Sequence, residues 1–135
     1  MPQIAARDFA RFTTKKREFT TRNGAVYAKW VHGLPPHSVY AVYSWGDHWP
    51  LFVWCEESQT WWGNNERAMG YGTGKCAYST STQRHQQMAE PNVPLIEWVN
   101  CETLREIITF GGAGQLVKHR MAQAAGLPKG WSVAA

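Results

Sequence analysis

The chain has 135 residues, of which 44% are apolar and 18% charged, too hydrophobic for a disordered chain and too interrupted by polar residues for a membrane span. A chain of this length buries about two-thirds of its unfolded surface on folding, so one domain over 1–135 is expected and two are not. Cys55, Cys76 and Cys101 are odd in number and contain no Cys-x-x-Cys, which encodes neither a disulfide framework nor a zinc ribbon. The first residues lack the apolar stretch of a secretory signal, and the expectation is a cytoplasmic protein with no membrane partner.

The net charge is +4, but residues 1–29 carry seven basic and two acidic side chains, a surplus of five that leaves the other 106 residues at −1. The positive field belongs to one end, as in a basic arm that meets a polyanion or an acidic protein surface; the alternative is a solvated, solubilising face. Arg11, Lys15, Lys16 and Arg17 are its densest part. Eight tryptophans are a heavy load for this length. Most should be core, and the remainder would suit interface anchors or stacking platforms.

In chain order, residues 1–24 read as a basic arm or helix. Residues 5–19 could form a helix contacting a core through Ile4, Phe9, Phe12 and Phe19, although Thr13 and Thr14 weaken it. Asn23-Gly24 is a turn dipeptide, so 17–31 could instead be a hairpin. A β-rich body is expected over 25–99. Residues 38–45 alternate with period two, Pro50 to Cys55 is rich in β-formers, and Thr60-Trp61-Trp62 returns as a further strand. Residues 63–75 read as a glycine-rich loop. Thr80 and Gln83 have capping-box spacing before a short helix that Pro91 closes, and a strand is expected over 93–99. Over 100–126 a helical hairpin follows, with Asn100 as N-cap, Val99 and Leu104 as a hydrophobic staple, a glycine-rich break at 111–114 and Gly126 after the second helix. The fold class is therefore α+β: an antiparallel meander of three to five strands with a short helix, and the helical hairpin packed on one face.

Most chemical motifs are excluded by spacing. The five histidines include no pair at zinc-motif spacing, so no metal and no cofactor are expected. Gly111-Gly112-Ala113-Gly114 lacks the Gly-Lys-Ser/Thr ending of a phosphate loop. Ser79 and Ser81 precede His85 without a nucleophile elbow, and the strand before the helical hairpin argues against a helix-turn-helix.

Tyr43-Ser44-Trp45-Gly46-Asp47-His48-Trp49-Pro50-Leu51, then Trp61-Trp62-Gly63-Asn64, then Ser79-Thr80-Ser81-Thr82-Gln83-Arg84-His85 follow one another over residues 39–86. This succession resembles a pattern in small, uncharacterised proteins of tailed bacteriophages, with Ser81 standing where threonine is usual. The resemblance implies a phage accessory protein, and such proteins are often inhibitors of host defence, anti-CRISPR factors included. Taken with the charge asymmetry and the tryptophan load, it leads to the expectation of a non-enzymatic anti-defence (anti-CRISPR-like) inhibitor acting in the host cytoplasm on a host defence protein or nucleoprotein complex. The residues themselves add a site: a strand end bearing Tyr43, Ser44 and His48, Asn64 at the end of the neighbouring strand, and Ser81, Thr82, Arg84 and His85 at a helix start could converge at one sheet edge and receive an anion, or could simply cap one another. Asn64, Ser81, Thr82, Arg84 and His85, together with Arg11, Lys15, Lys16 and Arg17, form the expected binding set for that partner or for nucleic acid. An alternative is a metal-independent ribonuclease or nucleotide-acting enzyme with His48 and His85 as acid and base, assisted by Tyr43. A second alternative is a sponge for an anionic nucleotide signal.

Overall fold

A computed structural model describes residues 1–32, 38–68 and 80–124, and the side chains at 32, 67, 68 and 80–82 are outside that description. The order is a 3-10 turn (Ala6–Asp8), α1 (Phe9–Thr14), β1 (Phe19–Thr20), β2 (Val26–His32), β3 (Ser38–Ser44), β4 (Pro50–Cys55), β5 (Thr60–Asn64), a second 3-10 turn (Asn65–Ala68), α2 (Thr80–Ala89), β6 (Glu97–Val99), α3 (Cys101–Phe110) and α4 (Ala113–Ala124). The fold is α+β, with one six-stranded sheet in sequential order, one strand beyond the expected range. The strands β1 to β5 form the antiparallel meander. The sixth, β6, pairs parallel to β5 and is shorter than the expected 93–99 strand, because the Val93 amide turns back to the Pro91 carbonyl at 3.0 Å and Pro94 has no amide donor. No helix among the described residues is long and apolar enough to cross a membrane.

Both faces of the sheet are apolar, which explains why its strands read as nearly continuous hydrophobic runs. Alternate residues Val26, Ala28, Tyr40, Val42, Phe52 and Trp54 pack on one side with Phe9, Phe12 and Ala89. Their neighbours Val39, Ala41, Tyr43, Val53 and Cys55 pack on the other with Leu104, Ile107 and Leu116. The C-terminal hairpin thus covers one face as expected, while α1 and α2 cover the face that the sequence reading left unassigned. Burial pushes the Cys55 thiol up to about 11, so this cysteine is an inert core residue.

The basic leader is part of this core. Its helix is shorter than the expected 5–19 because the Thr13 and Thr14 hydroxyls donate back to the carbonyls of Phe9 and Ala10, at 2.9 and 2.6 Å, competing with continuation of the helix. Lys16 then turns left-handed at φ 55°, and Phe19 enters the sheet opposite Ala28. Residues 2–4 lie alongside β1, where Ile4 N–H donates to the Thr20 carbonyl at 2.9 Å.

At the other terminus Asn100 accepts from the Thr103 amide at 2.7 Å and caps α3 as expected. Gly111, at φ 80°, ends it. The carboxylate of Glu57, in the β4–β5 turn, accepts the Gly114 amide at 2.7 Å and so occupies the N-terminus of α4. Gly112, at φ 152°, takes a backbone conformation that side-chain-bearing residues rarely adopt, and a Cβ there would also displace the Glu57 carboxylate.

Candidate functional site

Of the motif residues expected to converge, Ser44, Asn64 and His85 lie at the end of the sheet where β3 and β5 finish. A bulge between Val42 and Tyr43 re-aims the end of β3. Ser44, fully buried, shares a 2.9 Å hydrogen bond with His85 Nδ1 on α2. Trp45 follows in a left-handed conformation at φ 62°, 52% exposed, its indole tilted against the His85 ring at 5.6 Å. One residue further along α2, the buried Gln86 side chain donates to the Asn64 carbonyl at 2.8 Å. The Asn64 side chain donates to the Pro50 carbonyl and accepts the Glu66 amide, both at 2.9 Å. Asn64 is fully enclosed, so its contacts join the ends of β4 and β5 to α2 and do not face a ligand. Arg84 is exposed beside His85; the side chains of Ser81 and Thr82 lie outside the described residues.

His48 and Tyr43 do not join this cluster. The His48 imidazole packs against Gly46, and its carbonyl accepts from Arg105 on α3 at 3.2 Å. No hydrogen bond or ring contact connects it to His85. Tyr43 points to the α3 side of the sheet, stacked on Tyr27 at 5.2 Å, and burial, reinforced by Asp47, raises its hydroxyl to about 12. Acid/base catalysis requires both groups within reach of one substrate atom; Tyr43 is buried on the α3 side of the sheet, and His48 shares no hydrogen bond or ring contact with His85.

Burial, with a smaller contribution from Arg84, lowers the His85 pKa. The unfolded chain therefore takes up this proton more readily, so the stability conferred by neutral His85 is complete above pH about 6.5 and is lost as pH falls through the lower folded value. Thermal melts between pH 7 and 5 should show this loss in the wild type and a flatter profile in His85→Gln; equal profiles would remove His85 as the sensor.

The basic residues gather at the opposite end of the strands. The turn after α1 is pinned by two aromatic side chains: Trp30 Nε1 donates to the Lys16 carbonyl at 3.0 Å and the Tyr40 hydroxyl to the Arg17 carbonyl at 2.6 Å. This holds the Lys16 ammonium 4.1 Å from the centre of the Trp54 ring, a cation–π contact. Lys15, Lys16, Trp30, Trp54, Glu56 and Gln59 line a groove of about 550 Å³. Past Lys16, Trp54 and Gln59 it continues into a depression of about 310 Å³ bordered by Trp61 and Leu95. On the other side Arg11 and Lys15 line a third hollow with Asn92. Lys16 and Gln59, two of the three non-glycine residues at positive φ among the described residues, both border the groove, as strained residues often border functional surfaces.

Of the expected basic set, Arg11, Lys15 and Lys16 thus share one surface. Arg11 also pairs with Asp8 at 3.1 Å, and the Arg17 guanidinium lies 4.8 Å over Phe12. Trp30, Trp54 and Gln59 are the members that sequence reasoning missed; the number of tryptophans was the only signal, and it carries no address. Among the described residues no three His, Cys, Asp or Glu side chains are placed to hold a metal ion.

These features define an α+β protein with helices on both faces of its sheet and a cationic, tryptophan-lined groove at one end. No family model matches the chain, and searches of curated proteins and of solved structures find no significant match.

Proposed function

We propose that the protein is a non-enzymatic phage accessory protein that engages nucleic acid within a host nucleoprotein complex and thereby acts as an anti-defence inhibitor in the host cytoplasm. The observation that supports this reading best is the Lys16 ammonium held over Trp54 in a groove that also carries Lys15 and Trp30. A nucleic-acid backbone crossing the groove would meet the Lys16 ammonium held over Trp54 and the exposed Lys15, and the aromatic edges beside them would favour unpaired bases over duplex. The exposed Trp45 and the phage-like succession over 39–86 are consistent with a second contact at the far end of the sheet.

Fluorescence anisotropy with labelled single-stranded RNA and DNA tests the reading. Wild-type affinity should fall steeply with salt, and Lys15→Glu with Lys16→Glu should weaken binding at least tenfold, lowering the magnitude of the log–log salt slope by roughly 1.4 for two lost phosphate contacts. Arg11→Glu with Lys15→Glu leaves the Lys16–Trp54 contact in place and should act in the same direction. Undiminished binding in both double variants, or no binding by wild type, would overturn the groove as the contact surface.

A further inference from the structure

On the other face of the sheet, α3 leaves a cleft of about 270 Å³ above β2 and β3. Val31, Tyr43 and Ile108 form its less exposed lining, and Lys29, Asp47 and Arg105 supply its charges. The Lys29 ammonium is held rather than free. It donates to the Asp47 carboxylate at 3.0 Å and lies 5.7 and 5.5 Å from the stacked rings of Tyr27 and Tyr43. Asp47 also accepts from the Tyr27 hydroxyl, and that hydrogen bond is the main reason its carboxyl titrates below the usual range.

Arg105 reaches the same cleft from α3. One of its nitrogens donates to the His48 carbonyl at 3.2 Å, and no carboxylate among the described residues pairs with it. A guanidinium has five N–H donors in a planar fork suited to phosphate oxygens. Two cations from different elements therefore line one cleft with a single carboxylate that Lys29 and Tyr27 already engage, and the excess charge is positive. Beneath them the lining is apolar. The volume falls under the usual range for drug-sized pockets, which restricts the occupant to a compact molecule.

We propose that this cleft binds a compact phosphomonoester, its phosphate oxygens between Lys29 and Arg105 and its small apolar or aromatic group against Val31, Tyr43 and Ile108. A phosphate group offers several oxygens at once to the Arg105 fork and the Lys29 ammonium, while Asp47 stays on Lys29 and one net positive charge remains to receive the ligand. The site is separate from the basic groove, so the two assignments stand or fall independently.

Phenyl phosphate is a suitable probe, followed by heteronuclear NMR titration of the full chain with phenol as the uncharged control. Phenyl phosphate should bind saturably, shifting the signals of Lys29, Tyr43 and Arg105, and phenol should not. Arg105→Gln, an exposed position whose replacement should leave the melting curve intact, should weaken binding at least tenfold. Arg105→Lys should retain part of it, and the Lys15→Glu, Lys16→Glu double variant should bind as wild type does. Absence of saturable binding, equal binding of phenol, or undiminished binding in Arg105→Gln would overturn the proposal.

Discussion

Replacing Phe19 by alanine is expected to lower the unfolding free energy by about 3–5 kcal/mol, the range for truncating a buried phenylalanine. Phe19 has no exposed surface. Its ring stacks on Phe9 at 5.6 Å and meets the edge of Phe12 at 6.0 Å. These three rings fasten residues 1–24 to the sheet, and the turn carrying Lys15 and Lys16 lies between Phe12 and Phe19 in the chain. The cavity left by alanine would therefore loosen the geometry of the groove as well as the core. Urea unfolding measures the first effect, and anisotropy with single-stranded RNA measures the second. A loss below about 1 kcal/mol, well under that range, would mean that the leader is not part of the cooperative unit.

Asn64→Leu should cost about 3 kcal/mol, because it removes the partner of two groups at once: the Pro50 carbonyl and the Glu66 amide. Each buried group left without a hydrogen bond costs about 1–3 kcal/mol, and a leucine of similar volume cannot replace either contact. The melting temperature should drop by roughly 10 °C for a domain of this size. Gln86 donates to the carbonyl of the same residue, so Asn64→Leu and Gln86→Leu should be non-additive in a double-mutant cycle, as expected for neighbours in one network. A melting temperature unchanged by Asn64→Leu would contradict the assignment of Asn64 as the link between the strand ends and α2.

The candidate site was legible in fragments. Ser44, Asn64 and His85 come together at one end of the sheet, where the succession over 39–86 placed them, because strand ends and the start of a helix are set by local signals. Their burial was not legible. Ser44 and Asn64 are enclosed, and whether a polar side chain at a strand end meets solvent depends on which helix covers that end. Arg11, Lys15 and Lys16 were recognisable as a dense positive stretch, but the surface they share with Trp30 and Trp54 joins residues up to 43 positions apart in the chain.

The sequence by itself determined the period-two strands, the Asn23-Gly24 turn, the Asn100 cap, the stop at Gly111 and the concentration of charge near one end. Each of these depends on neighbouring residues, whose sterics and hydrogen bonds are the same wherever the segment lies. Only the tertiary structure decided that α1 and α2 take one face and α3 and α4 the other, that β6 runs parallel to β5, that Glu57 holds the start of α4, and that the leader packs into the core. Both faces of the meander are apolar, so hydrophobic alternation marks the strands without saying which helix belongs to which side. That choice is made by contacts between distant segments, whose energies follow from shape and burial after the chain has closed its loops.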